Sequence, residues 1–377
     1  MLKRIYVDNY KCLVNFELSV GSINLFLGPN GAGKSAVFGA LQKLVDFVGG
    51  RGKVAEVFDF RDRTRWQSSL TQTFELEVER KAGVYRYELA VEHGEKGDKA
   101  RVQHERLWFN GKPLLKFEIN AAGESEVRLY RDNHSAGPIY PFDWTQSALA
   151  SIFPRHDNTL LTWFKQHLQR IIILQIIPCL MNAESSQEES RPSIHLENYA
   201  SWYRSISQDQ GLIYQLTNEL REILPGFDHF RFEMLGEQNR LLKVRLLSED
   251  EQTPTEYRFS ELSDGQRTLI ALYTLLATSR VAGEDTYTLC LDEPENFIAL
   301  PEIQPWLVTL YDLCNRDELQ AFLISHHPEL INYLLASPVG YWFERGCNQP
   351  TRVRPIRADD SSGLPISELI ARGWLRE

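Results

Sequence analysis

The sequence predicts an α/β fold: a phosphate-loop head with an antiparallel β layer and an inserted helical lobe, and no long coiled coil. Three observations lead there. A nearly all-apolar strand at 22–27 runs into a glycine-rich loop followed by an amphipathic helix. Alternating segments, with Asn110-Gly111 as a tight-turn pair, mark an antiparallel layer between about 73 and 135. Helical spacing takes over from about 145 to 224, and strand–helix alternation returns in the last third. The assignment is therefore a head of residues 1–135 and 226–377, with a mostly helical lobe at 136–225.

In chain order, Leu2 to Tyr10, Val14 to Val20 and Ser22 to Leu27 read as strands. Residues 33–48 read as a helix with Val37, Leu41, Leu44, Val45 and Val48 on one face, stopped by Gly49-Gly50. The charged stretch 51–71 reads as a surface connection, followed by strands from Thr73 to Arg80 and Val84 to Glu92. Helices are expected at Asp157 to Arg170, Asn198 to Ser205 and Gly211 to Leu224, with a polar, mobile loop at 183–192. Strands return at Phe227 to Glu233 and Leu241 to Leu247.

The 377 residues are 43% hydrophobic and 24% charged, an ordinary globular composition that needs no external staple. A net charge of −10 argues against a protein that coats nucleic acid with uniform positive charge. The five cysteines lie far apart without a C-x-x-C pair, so they read as reduced, mostly buried thiols in the cytoplasm. The alternating pattern begins directly after Met1, and no signal segment is expected before it. The longest apolar run, 171–180, is interrupted by Gln175 and Pro178 and is too short to span a bilayer.

Gly28-Pro29-Asn30-Gly31-Ala32-Gly33-Lys34-Ser35 fills the phosphate-loop pattern G-x-x-x-x-G-K-[ST]. The glycines let backbone N–H groups turn inward around a phosphate, and the helix N-terminus, through Ala36, adds partial positive charge. Lys34 is placed to reach the β- and γ-phosphates of ATP, and Ser35 to ligate Mg²⁺. A second apolar strand, 288–291, ends in Asp292-Glu293. Asp292 is the expected Mg²⁺ ligand, and Glu293 the base that deprotonates the attacking water.

Residues 261–267 read E-L-S-D-G-Q-R. Here the chain resembles the ABC ATPases, whose signature is L-S-x-G-Q, at Leu262, Ser263, Gly265 and Gln266. Ser263 and Gln266 also form a capping box, and a capped helix start with a bare glycine is an anion site. The resemblance implies that this site faces a γ-phosphate held by a second copy, so a homodimer is the expected catalytic form. It also implies that His326, in Ser325-His326-His327-Pro328, senses the γ-phosphate; His327 stands where the family more often has serine.

The opening I-Y-V-D-N-Y-K-C, the phosphate loop, D-E-P-E-N and I-S-H-H-P-E-L-I are similar to the RecF, SMC and OLD branch of soluble AAA/ABC ATPases. That branch implies a role linked to DNA, in phage defence or DNA repair. OLD proteins carry a TOPRIM nuclease after the ATPase core. Only about fifty residues follow His326, so any nuclease is expected to be a separate partner chain. Two features depart from the family: Ala299 occupies the place of a histidine, and no motif marks the glutamine of the Q-loop, for which Gln72, backed by Gln67, is chosen. Direct DNA contact could come from the basic stretch of Arg51, Lys53, Arg61, Arg63 and Arg65, although its interleaved acids fit a solvated face as well. Base stacking by Trp202-Tyr203-Arg204 is set against core packing of a helix, the commoner explanation. Two other functions compete: a weakly hydrolysing ATP-dependent clamp, and a transporter ATPase. The second is disfavoured because 28–35 and 262–266 lie more than twice as far apart as in transporter cassettes.

Overall fold

The structure, a computed structural model, describes residues 1–356 except 96, 98, 121–122, 249–253, 281–285 and 335–338, and beyond these residue 368. The chain forms two compact units, Met1–Ile171 with Leu334–Ser362, and Ile172–Tyr333 with Gly363–Glu377. The boundary differs from the sequence assignment: the stretch 136–225 is divided between both units at Ile171 and makes no lobe of its own. The C-terminal part of the assigned head after 356 lies outside the described residues, residue 368 excepted.

The first unit opens with β1 (Leu2–Asp8), β2 (Phe16–Ser19) and β3 (Ile23–Leu27). Every residue of β3 is buried, which explains its continuous apolar run. Helix α1 (Lys34–Val48) buries the predicted face and adds Phe38 and Phe47 to it. Gly50, at φ 71°, ends it in the left-handed conformation that glycine adopts without steric cost.

The connection at 51–71 contains α2 (Val54–Val57) and a short 3₁₀ turn. Much of its positive charge is spent locally. Arg51 pairs with Asp46, Arg61 with Asp59, and Arg63 lies over the Phe60 ring while donating to the Ser69 carbonyl.

An up-and-down run follows: β4 (Thr71–Arg80), β5 (Gly83–His93), β6 (Ala100–Phe109), β7 (Lys112–Ile119), β8 (Ser125–Tyr130) and β9 (Ala136–Pro141). With β1 and β2 they form one eight-stranded sheet in the order β2-β1-β4-β5-β6-β7-β8-β9. Asn110 (φ 48°) and Gly111 (φ 74°) make the predicted turn between β6 and β7. The sheet's buried face receives α3 (Thr159–Gln169), where Phe164 packs on Tyr85 and Tyr87. Glu105 is buried within this core and accepts hydrogen bonds from Tyr87 Oη, Ser147 Oγ and the Ala148 N–H.

The second unit takes up β10 (Ile171–Leu174), a buried four-residue strand that helical spacing on either side conceals in the sequence. The short β11 (Glu184–Ser185) follows. The polar stretch 183–192, expected as a mobile loop, is tied down. Glu184 pairs with Leu241, the Ser185 hydroxyl donates to the Gln187 carbonyl, and the Glu189 N–H donates to the Ser201 carbonyl.

Helices α4 (Tyr199–Ile206) and α5 (Gln210–Ile223) fall where predicted, α5 capped by Asp209. Trp202 and Tyr203 are 1% and 4% exposed, so they belong to the core and not to a base-stacking surface. Strands β12 (Phe227–Leu235), β13 (Asn239–Leu247) and β14 (Pro254–Arg258) pair in turn. Helix α6 (Asp264–Arg280), β15 (Tyr287–Asp292), α7 (Leu300–Asn315), β16 (Leu319–Ile324) and α8 (Pro328–Leu334) complete the strand–helix alternation. β15 and β16 are parallel, from Tyr287↔Leu319 to Asp292↔Ile324, so both end at the same level.

The chain returns to the first unit with β17 (Gly340–Glu344), parallel to β3, and β18 (Arg352–Pro355), antiparallel to β17. All five cysteines are free; Cys12, Cys290 and Cys314 are buried, while Cys179 and Cys347 are exposed.

Candidate functional site

The candidate residues fall into two groups, one in each unit.

In the first unit the phosphate loop spans the gap between β3 and α1. Its shape requires glycine at two places. Gly28 sits at φ 139°, and a Cβ there would lie 2.1 Å from the Phe343 carbonyl oxygen on β17. Gly33, at φ 105°, would push a Cβ to 2.4 Å from Thr351 Oγ1. Lys34 is 6% exposed, and its ammonium donates to the Gly28 carbonyl at 2.6 Å and the Pro29 carbonyl at 3.1 Å. The ammonium is thus held inside the loop whose phosphate it is expected to bind. Pro29, Asn30, Gly31 and Ser35 are exposed, so the loop's outer rim is open to solvent.

Two residues that sequence reasoning missed brace this loop. Thr351 Oγ1 donates to the Ala32 carbonyl at 2.9 Å, while its N–H donates to the Cys12 carbonyl. Arg345 donates to the Gly31 carbonyl at 3.4 Å and lies over the Trp66 ring. More than three hundred positions separate each from the loop, and no local pattern signals either.

In the second unit, the signature forms the start of α6. The Ser263 N–H donates to Gln266 Oε1 at 3.0 Å, and the Gln266 N–H donates to Ser263 Oγ at 3.3 Å, the reciprocal capping box the spacing predicts. Gly265 is required by proximity: a Cβ would sit 2.8 Å from the Phe297 carbonyl oxygen. Ser263 is exposed, so the capped tip faces solvent, while residues 267–277 are buried.

At the end of β15, Asp292 is half-buried and Glu293 follows at φ 51°. A left-handed backbone is uncommon for a residue with a side chain, and such positions gather at functional sites. It is held by the Glu293 N–H, which donates to the Ile324 carbonyl at 2.9 Å. Glu293 Oε2 accepts from Asn296 Nδ2 at 2.7 Å, and Oε1 lies 3.8 Å from His326 Nε2. Because β15 and β16 end in register, the structure brings together Glu293 and His326, residues far apart in sequence. The His327 N–H, in contrast, donates to Ser325 Oγ, and its ring Nδ1 is buried.

Glu295, also unnoticed in the sequence, is 8% exposed and accepts from Ser325 Oγ at 2.5 Å. Burial pushes its carboxyl above the usual range.

Gln72 does not present itself to a ligand. It is fully buried in β4, with Nε2 donating to the Asn9 carbonyl and Oε1 2.9 Å from His93 Nε2. Its amide therefore has a structural task. Gln67, itself half-buried on the 63–70 loop, keeps the alternative position. Ala299 caps α7, its N–H held by Glu302.

Ser35 and Asp292 supply a hydroxyl and a carboxylate, the oxygen donors that suit Mg²⁺. Among the described residues, no group of three or more His, Cys, Asp or Glu gathers to hold a metal without further ligands. No helix among them is long and apolar enough to cross a membrane.

Residues 172–332 match the family model described as "AAA domain, putative AbiEii toxin, Type IV TA system". This range nearly coincides with the N-terminal part of the second unit. A segment of 48 residues is 44% identical to an OLD nuclease from Thermus scotoductus; it is 13% of this chain and 9% of that protein's length. The SMC head domain from Thermotoga maritima aligns over 95% of this chain and 99% of its own, with 13% identity and a TM-score of 0.47.

Proposed function

We propose that this chain is an ABC-type AAA ATPase of the RecF, SMC and OLD kind, and that it hydrolyses ATP at composite sites formed when two copies meet head to head. The observation that carries hydrolysis is the pairing of Glu293 with His326 at the ends of two parallel strands. Glu293 takes the proton of the attacking water, and Asn296 and His326 orient its carboxylate. Lys34 leaves its loop carbonyls for the β- and γ-phosphates, an exchange that keeps its ammonium satisfied. Ser35 and Asp292 are the candidate ligands for Mg²⁺, which would neutralise charge on the phosphate oxygens.

The exposed, capped tip at Ser263 suits the γ-phosphate of a partner copy, because a helix N-terminus at the surface favours an anion. ATP then closes the pair and hydrolysis reopens it. The output assigned to this cycle is control of a separate nuclease subunit acting on DNA, in phage defence or repair. That assignment rests on the resemblance to the RecF, SMC and OLD branch, and co-purification with a nuclease in the presence of ATP would support it.

Steady-state phosphate release tests the core of the proposal. Lys34→Ala is expected to abolish ATP binding. Glu293→Gln is expected to bind ATP normally and lose about 10²-fold or more in kcat. Undiminished turnover in Glu293→Gln would remove the base from the mechanism.

A further inference from the structure

We propose that Glu295 is a positioning residue for hydrolysis: it grips the loop after β16 and thereby holds His326 against Glu293. The inference rests on the roles given to Glu293 and His326 above.

The two loops beyond β15 and β16 are joined at several points. At the base, the Glu293 N–H donates to the Ile324 carbonyl. Further out, Ser325 Oγ donates to Glu295 Oε1 and accepts from the His327 N–H at 3.1 Å. Ser325 is fully buried. His326 therefore sits between two anchored neighbours, Ser325 and His327. Its ring, 45% exposed, has little packing of its own to fix it beside Glu293.

The chemistry of Glu295 argues that this grip has a purpose. A buried carboxyl costs stability unless its oxygens are satisfied, and apolar contacts would join two loops more cheaply. Here one oxygen is engaged by Ser325 while Oε2 is buried without a hydrogen-bond partner. Such unsatisfied groups call for an explanation, and sites where geometry is held for function are a common one. Glu293, two residues earlier, carries the left-handed backbone, so the loop must be pinned on its far side to keep that conformation. Glu295 supplies that pin. A displacement of about 1 Å at a reacting group costs up to about 10²-fold in rate, so a positioning residue has measurable leverage.

Ser325→Ala removes one hydroxyl from the link and Glu295→Ala removes the grip, and thermal unfolding checks that each variant folds. Both are expected to lower kcat about tenfold or more while the ATP dissociation constant stays within about twofold. Glu295→Gln keeps an acceptor oxygen for Ser325 and is expected to retain kcat within about threefold. The decisive comparison is made in a His326→Ala background, where Ser325→Ala should add less than about twofold, because the ring it positions is gone. An equal loss in both backgrounds, or unchanged kcat in Ser325→Ala, overturns the inference. Turnover that survives Glu293→Gln instead removes the reading beneath it, so the two failures are distinguishable.

Discussion

Gly28 and Gly31 belong to one motif but answer to different constraints. Gly28 faces the Phe343 carbonyl at a distance no Cβ tolerates, whereas Gly31, at φ 79°, has nothing within 4 Å of its Cβ position. Gly28→Ala is expected to part β3 from β17, lower the melting temperature and lose ATP binding together. Gly31→Ala carries only the left-handed backbone cost of about 1 kcal/mol, and is expected to fold with a melting temperature reduced by a few degrees. Thermal unfolding followed by circular dichroism, with and without ATP, separates the two. Glu293 shows the same tension from the other side, since it adopts a glycine-like backbone while keeping the side chain that chemistry needs.

Helix α6 joins a solvent-exposed, capped start to an almost wholly buried body. Its body is fixed by Tyr199, whose hydroxyl shares a hydrogen bond with Thr274, and by Trp306, whose indole N–H donates to the Leu272 carbonyl. The tip is thus carried on a helix whose body is anchored in the core. Ser263→Arg, which fills that tip with a long side chain, is expected to bind ATP normally yet remain monomeric. Light scattering with ATP in the Glu293→Gln background checks this, and a normal dimer there would count against the composite site.

The whole chain also has an expected acid sensitivity. Burial pushes the His93 imidazole down to about 4, with the Arg63 guanidinium adding to the effect, and burial lowers His104 to about 4 as well. Both are neutral in the folded state and take up protons near pH 6.5 once unfolded. Their contribution to stability is therefore complete above about pH 6.5 and is lost as pH falls from there toward 4. Urea midpoints should fall between pH 7.5 and 4.5, and His93→Gln, which keeps a donor for Gln72, should flatten the decline. An unchanged pH profile in that variant would show that His93 is not the group responsible.

The phosphate loop, the Asp292-Glu293 pair and the signature were legible in the sequence because each is local: a few consecutive residues with special backbone or capping requirements. Most strands and helices were legible for the same reason, through period and turn chemistry. Three things were decided only by the tertiary structure. Gln72 looked available until β4 placed it between Asn9 and His93. β10 looked like part of a helical region because four apolar residues carry no period that distinguishes strand from helix. Thr351, Arg345 and Glu295 gained their places through contacts that close long stretches of chain, and one side chain donating to a distant carbonyl leaves no mark on the residues between.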